Sequence, residues 1–347
     1  YHQSTYNNLF IEGLSATAGI RLDWEKQTLD YQSEAKMMLE MQTRPGVPPT
    51  DISNMYDASV INEHLSQTFK QLLPKISLKY ECSPRTFTYI SVAKGYKTGG
   101  YNVQMSADIM QSRMQYDVMN KFAPTLAVEP KAVKDVISYR PETSWNYETG
   151  MRSELIKDLL HLEATLFYTD INDLQITKFV ETGNGRYLSN AGKAESYGAE
   201  MSLRAILTDC LTGDLNYGYT HAVFRSYNNV REDFKGKYIP YTPQHTLSLG
   251  LQYNKLLRGR FLDRFTLAGQ YNGVGKIYWT EANSITQPFY GVVNAQTGVS
   301  KGAVTLYLWA RNLTDADYAA FYFESFGKPF IQKGKPLQFG TKITINL

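Results

Sequence analysis

Strand-length stretches that alternate apolar and polar residues recur along the whole chain, and the connections between them alternate between very short and very long. In the last stretch Leu337, Phe339, Thr341, Ile343, Ile345 and Leu347 share one phase, while Gln338, Gly340, Lys342, Thr344 and Asn346 share the other. Side chains in a strand point alternately to its two faces, so one face suits lipid and the other water. Short turns on one side and long loops on the other complete the pattern of a membrane-spanning β-barrel.

Composition excludes the other way of crossing a bilayer. The mean hydropathy is −0.37, and no apolar run approaches the roughly 20 residues that a membrane-spanning helix needs. The 26 tyrosines against 4 tryptophans fit aromatic girdles at the lipid interfaces and aromatic loops. A net charge of +3, spread evenly, argues against nucleic acid as a partner. Cys82 and Cys210 fall in two different short turns and form neither a CxxC motif nor a disulfide framework. The five histidines, His2, His64, His161, His221 and His245, have no metal-binding spacing. No GxSxG-like or paired-acid motif marks an enzyme, so neither a cofactor nor a metal is expected.

Reading back from Leu347, paired strands are predicted through Val304–Ala310 with Val293–Val299, Phe265–Tyr271 with Leu247–Tyr253, Leu215–Tyr219 with Tyr197–Leu203, and Leu162–Tyr168 with Trp145–Leu155. Upstream, Phe87 and Tyr89 follow a turn from Ile76, Leu78 and Tyr80, and Leu14 to Trp24 alternates cleanly. At roughly ten residues per strand the chain holds about thirteen strands. Such a count, starting mid-strand at Tyr1 with no leader, points to the C-terminal portion of a larger barrel. Long loops are expected at 27–68, 98–142, 179–191, 225–242, 274–288 and 313–335; Met105, Ile109, Met114 and Val118 have helical spacing within the second.

Two sets of candidate residues emerge. Arg21, Asp23, Glu148, Arg152, Glu154, Glu163, Glu200, Arg204 and Lys342 lie on the polar phase of their strands and would line the lumen. Tyr101, Tyr227, Tyr278, Trp279, Phe321, Tyr322, Phe323 and Phe326, with Arg225, Arg231, Lys328 and Lys333, bring aromatic walls and cations to the loops. That combination suits an anionic small molecule, although loop aromatics more commonly pack the loop itself.

Six stretches carry a resemblance: GYKTGGYN (95–102), PETSWNYETGMRSEL (141–155), LFYTDINDLQI (166–176), NAGKAESYGAEMSL (190–203), YTPQHTLSLGLQY (241–253) and WARNLTDADY (309–318). In this order they resemble the C-terminal barrel of TonB-dependent outer-membrane receptors of Gram-negative bacteria. The resemblance implies an all-β fold, an antiparallel transmembrane barrel of about 22 strands closed around a plug, with residues 1–347 as its C-terminal portion and the plug outside this chain. It further implies TonB-coupled import of a scarce solute, with a ferric siderophore favoured by the loop cations over cobalamin, haem or an oligosaccharide. The expected partners are the N-terminal plug and strands, TonB, outer-membrane lipid and the small-molecule ligand. On this reading Arg21, Asp23, Glu148, Arg152, Glu154, Glu200 and Arg204 face the plug. A complete autotransporter-type or enzymatic barrel is the alternative.

Overall fold

In the computed structural model, the structure describes residues 1–36, 40–41, 50–51, 59–179, 186–227, 232–257, 259–325 and 328–346. One antiparallel sheet runs through it, each strand hydrogen-bonded to its neighbours in sequence. Its strands are β1 (His2–Tyr6), β2 (Leu14–Ala35), β3 (Ser59–Ser83), β4 (Thr86–Lys97), β5 (Glu142–Ile156) and β6 (Leu160–Asn172). They continue as β7 (Lys193–Thr208), β8 (Leu211–Ser226), β9 (His245–Leu256), β10 (Arg264–Val274), β11 (Tyr290–Lys301), β12 (Val304–Arg311) and β13 (Gln338–Ile345). The sheet has 13 strands, matching the number read from the alternation.

The alternation is realised as two faces. Ile20, Leu22 and Trp24 on β2, Leu72 and Ile76 on β3, Leu249 and Leu251 on β9, and Phe339, Ile343 and Ile345 on β13 are all exposed large apolar residues. In water such a surface would be an aggregation hazard; toward lipid it is the required one. Cross-strand register keeps the phases together, with Met201 opposite Ala164 and Tyr217, and Leu249 opposite Leu215 and Tyr271. Among the described residues no helix is long and apolar enough to cross a membrane.

The first long connection differs from its expected extent. Instead of a loop from residue 27 to 68, β2 and β3 continue as a ribbon paired without interruption from Leu14↔Tyr80 to Ala35↔Ser59. The apolar phase inverts along this ribbon. Ile20, Leu22 and Trp24 are exposed on the outward phase, whereas Tyr31 on β2 and Ile61 and Leu65 on β3, all on the opposite phase, are buried. They pack against helix α1 (Ser106–Phe122), which carries Ile109 and Met110 into the same core. The ribbon therefore leaves lipid between Trp24 and Leu29 and exchanges a lipid-facing stripe for a protein-facing one. The ladder to β4 ends at Lys75↔Ala93, beside Pro74, which has no N–H to donate.

The other long connections contain short elements: antiparallel hairpins Gln175–Phe179 with Arg186–Asn190 and Ala319–Ser325 with Lys328–Lys333, and α1, whose position meets the helical spacing seen in the sequence.

Candidate functional site

The polar face of the sheet holds the first candidate set. Arg21 pairs with Asp23 at 2.6 Å, Arg152 with Glu163 at 2.6 Å and Arg85 with Glu154 at 3.6 Å. Glu148 accepts a 2.6 Å hydrogen bond from the Tyr89 hydroxyl, and Arg204 sits in register opposite Asp214. Glu200 lies opposite Thr165 and Gly218. The side chains of the Arg152–Glu163 pair are each more than half exposed, so the pair adds little to stability. Such groups remain available to a second surface.

Aromatic side chains on this face lie down rather than stand. Tyr89 faces Gly150 in register, Phe167 faces Gly198, Tyr307 faces Gly298 and Trp309 faces Gly340. A Cβ on Gly150 would come within 2.7 Å of the Tyr89 ring. Glycine opposite each ring lets it flatten against the wall, which keeps the inner space clear. The sequence contained this pattern as aromatic and glycine residues on the polar phase, but only the register pairs them.

The second candidate set divides. Tyr227 is buried with Phe224 and Phe234 in one loop core, and Trp279 and Tyr322 are buried with Ile277 in another. Tyr101 packs against the core under α1, and its buried hydroxyl has no hydrogen-bond partner among the described residues. Phe321 stacks on Tyr241 at 5.5 Å, and Tyr278 stacks on Tyr238 at 4.9 Å. Phe323 stacks on Phe330 at 5.0 Å. Arg225 bonds Asp170 at 3.0 Å and approaches Glu195 at 3.6 Å; the strand phase of all three is the outward one. Lys333 pairs loosely with exposed Asp317, and Lys328 is exposed. Arg231 and Phe326 lie outside the described residues. The structure thus brings Tyr227, Trp279 and Tyr322 into loop cores rather than onto one open wall.

What holds the loops was not visible in the sequence. Asn102 makes a two-way clamp on Leu188, its Nδ2 donating to the carbonyl at 2.9 Å and its Oδ1 accepting from the backbone N–H at 2.7 Å. Buried Glu142 pairs with Lys97 at 2.8 Å and accepts from the Gln175 N–H, while Gln175 donates to the carbonyls of Thr98 and Arg140. Three of the recognised motifs meet at this junction. Gly99 and Gly100 permit it, because a side chain at either would collide with Tyr139, and one at Gly99 also with Phe69. No local spacing announces these contacts, which join residues up to 86 positions apart.

The loop cores also contain ionisable groups. Glu281 accepts from the Tyr227 hydroxyl at 3.3 Å, with Lys178 3.9 Å away and lying over the Tyr227 ring. Burial raises the Glu281 carboxyl above its ordinary range, with Lys178 and Tyr227 opposing the shift. Tyr322 is pushed up to about 12 by burial and by Glu324. A carboxyl raised by folding stabilises fully below its unfolded value, and that contribution is lost as pH climbs through the folded value. Glu281→Gln is therefore expected to leave loop protection at pH 7 equal to or greater than in the parent and to flatten its decline between acid and neutral pH. Hydrogen exchange of the 232–239 segment measures this; a marked loss of protection in the variant at pH 7 would show instead that the charged pair holds the loop. Among the described residues no group of three or more His, Cys, Asp or Glu side chains could hold a metal ion.

Comparison with known proteins agrees with this architecture. A family model described as TonB dependent receptor-like, beta-barrel, matches residues 5–313. The pesticin receptor of Yersinia pestis is 24% identical over 277 residues, covering 78% of this chain and 36% of that protein. The catecholate siderophore receptor Fiu of Escherichia coli K12 is 25% identical over 187 residues, 52% of this chain and 23% of Fiu. The crystal structure of the ferric yersiniabactin uptake receptor FyuA from Yersinia pestis superimposes with a TM-score of 0.71 at 20% identity, over 99% of this chain and 44% of that one. The chain spans less than half the length of each of these proteins. Lipid-facing and water-facing strand phases, short turns opposite long structured loops, and a family match over most of the sequence lead to one assignment: this chain belongs to the TonB-dependent receptor β-barrel family and lies in the outer membrane of a Gram-negative bacterium.

Proposed function

We propose that this chain forms the wall and ligand-receiving loops of a TonB-coupled importer of a ferric siderophore or a similar anionic iron chelate. The observation that carries the proposal is the two-sided wall itself: an apolar face toward lipid and, behind it, a polar inner face whose exposed ion pairs and flattened rings leave room for a second surface and a passing solute. In this reading Arg21, Asp23, Glu148, Arg152, Glu154, Glu200 and Arg204 meet a plug supplied by the rest of the protein, and TonB acts on that plug. The names of two of the similar proteins favour iron: receptors for catecholate siderophores and for ferric yersiniabactin. Transport needs no bond making or breaking by these residues. Binding instead draws on exposed cations such as Lys328 and Lys333, which can attract an anion from solution.

The full-length protein tests this directly. In a strain lacking other iron receptors, it should restore uptake of radioactive iron presented as a ferric siderophore. Lys328→Gln with Lys333→Gln should reduce uptake at limiting ligand roughly tenfold at low salt and less at high salt, as expected of steering charges. Unchanged uptake in the double variant would remove the role of these cations. Production of the protein only when a polysaccharide is supplied, with no ferric ligand taken up, would overturn the iron reading.

A further inference from the structure

The outward face of β7 to β10 carries, at the upper rim of the apolar band, a basic cluster that the import reading does not use. His221 on β8 and His245 at the start of β9 share the outward phase with Leu215, Leu247 and Leu249. His221 stacks on Tyr197 with ring centroids 4.7 Å apart and meets Tyr238 edge-on at 5.1 Å. His245 lies against Tyr219 at 5.1 Å and Tyr217 at 6.1 Å. Tyr238 in turn stacks on Tyr278, and Lys276 lies over the Tyr278 ring at 4.5 Å. The backbone joins Lys276 to His245, since Gly275 donates to the His245 carbonyl and Gln244 to that of Lys276.

The two histidines are held alike. The Tyr217 hydroxyl is 2.9 Å from Nδ1 of His245, and the Tyr238 hydroxyl is 3.4 Å from Nδ1 of His221. Each Nδ1 is thereby engaged by a phenol, and Nε2 of each ring is left to meet a further polar partner. Neither histidine nor Lys276 has an ion pair among the described residues. The carboxylates on the same outward phase, Asp170 and Glu195, are occupied by Arg225.

Height decides what that partner is. His245 lies two residues above Leu247 and four above Leu249 on one strand, about 7 and 13 Å along it at ~3.3 Å per residue, which a tilt of roughly 40° turns into about 5 and 10 Å of height. An apolar band roughly 25 Å tall with lipid-exposed Leu249 in it puts the basic cluster at the level of the headgroups, where aromatic girdles sit. Charge complementarity and continuity with the lipid face both point to an anion that is part of the membrane. We propose that His221, His245 and Lys276 form a binding site for the phosphorylated headgroup of an outer-leaflet lipid, whose acyl chains run down over Leu247 and Leu249. Tyrosine rings hold the imidazoles in place, and Lys276 supplies the fixed charge.

The full-length protein, reconstituted in nanodiscs, tests the proposal with two probes: bis-phosphorylated lipid A and the same lipid after phosphatase treatment. Wild-type protein recovered by detergent extraction and native mass spectrometry should retain the phosphorylated lipid at least fivefold more than the dephosphorylated one. The combined His221→Gln, His245→Gln, Lys276→Gln variant should lose that preference, whereas Lys342→Gln on the polar phase should keep it. Equal retention of the two lipids by wild type would reduce the patch to an apolar girdle and overturn the proposal, and this arm decides even if the triple variant fails to fold. An undiminished preference in a folded triple variant would overturn it as well. Displacement of the lipid by millimolar inorganic phosphate would assign the site to a free anion instead.

Discussion

Arginine introduced at Leu249, Met201 or Ile343 of the full-length protein is expected to destabilise the barrel by about 2–4 kcal/mol where the position lies near the bilayer midplane, the depth-dependent cost of a cation on the lipid face. All three side chains are exposed on the outward phase, by 42%, 36% and 66%. The same phase carries exposed apolar residues on the neighbouring strands, which is what a lipid-facing wall requires. The control is one residue away. Ser202 follows Met201 on β7, and its hydroxyl meets Asn216 on the polar face, where an arginine can reach water. Unfolding in lipid or detergent, followed by the shift in electrophoretic mobility on heating, should separate Met201→Arg from Ser202→Arg clearly. Equal losses at the two phases would mean that the faces have been assigned the wrong way round or that neither faces lipid.

A loss of about 3 kcal/mol is expected for Gly192→Ala, within the NAGKAESYG stretch. Gly192 has φ of +70°, a conformation that costs an ordinary L residue about 1–2 kcal/mol. A Cβ there would also press into the Ser226 carbonyl oxygen, which is backbone and cannot swing away. The position anchors a loop base, because Leu174 donates to the Gly192 carbonyl at 3.0 Å and Ala191 donates back to Leu174 at 2.7 Å. Asparagine tolerates positive φ better than alanine does, so Gly192→Asn should recover part of the torsional cost and none of the collision. Protection of the Leu174 and Ala191 amides against hydrogen exchange reports the effect locally, and heat-modifiable mobility reports it globally. Gly192→Asn as stable as the parent would show that the Ser226 strand end yields easily.

Most of the sheet was legible because lipid on one side and water on the other impose a period of two on every strand. The strand pairs from Trp145 to Ile345 were read in this way, and the turns between them are too short to hide anything. The ribbon above Trp24 was read as a loop for a physical reason. Its apolar residues change phase between Trp24 and Leu29 and between Leu65 and Leu72, so a search for one continuous stripe sees the pattern fail where the solvent changes. The candidate ligand residues were the least legible. An aromatic residue that packs a loop and one that meets a solute have the same sequence signature, and only burial marks Trp279 and Tyr322 as packing residues. Glu142, Asn102 and Gln175, which tie three motifs together, are ordinary polar residues until long-range contacts bring them into one place.

The ribbon of β2 and β3 has a mechanical meaning. From Pro74 to Ser59, about 50 Å of strand at ~3.3 Å per residue, β3 continues past the end of its ladder to β4. It is a cantilever rooted in the wall and braced near Ser59, where Tyr31, Ile61 and Leu65 meet α1. A two-stranded ribbon alone is marginal in water, so the brace carries much of the bending stiffness. Geometry then amplifies: a tilt of about 5° at the root displaces the far end by about 4 Å over that length, comparable to the diameter of a small solute. A contact that moved α1 would be felt as a stroke of the ribbon, and a tilt of the wall would reach α1 as a displacement of that size.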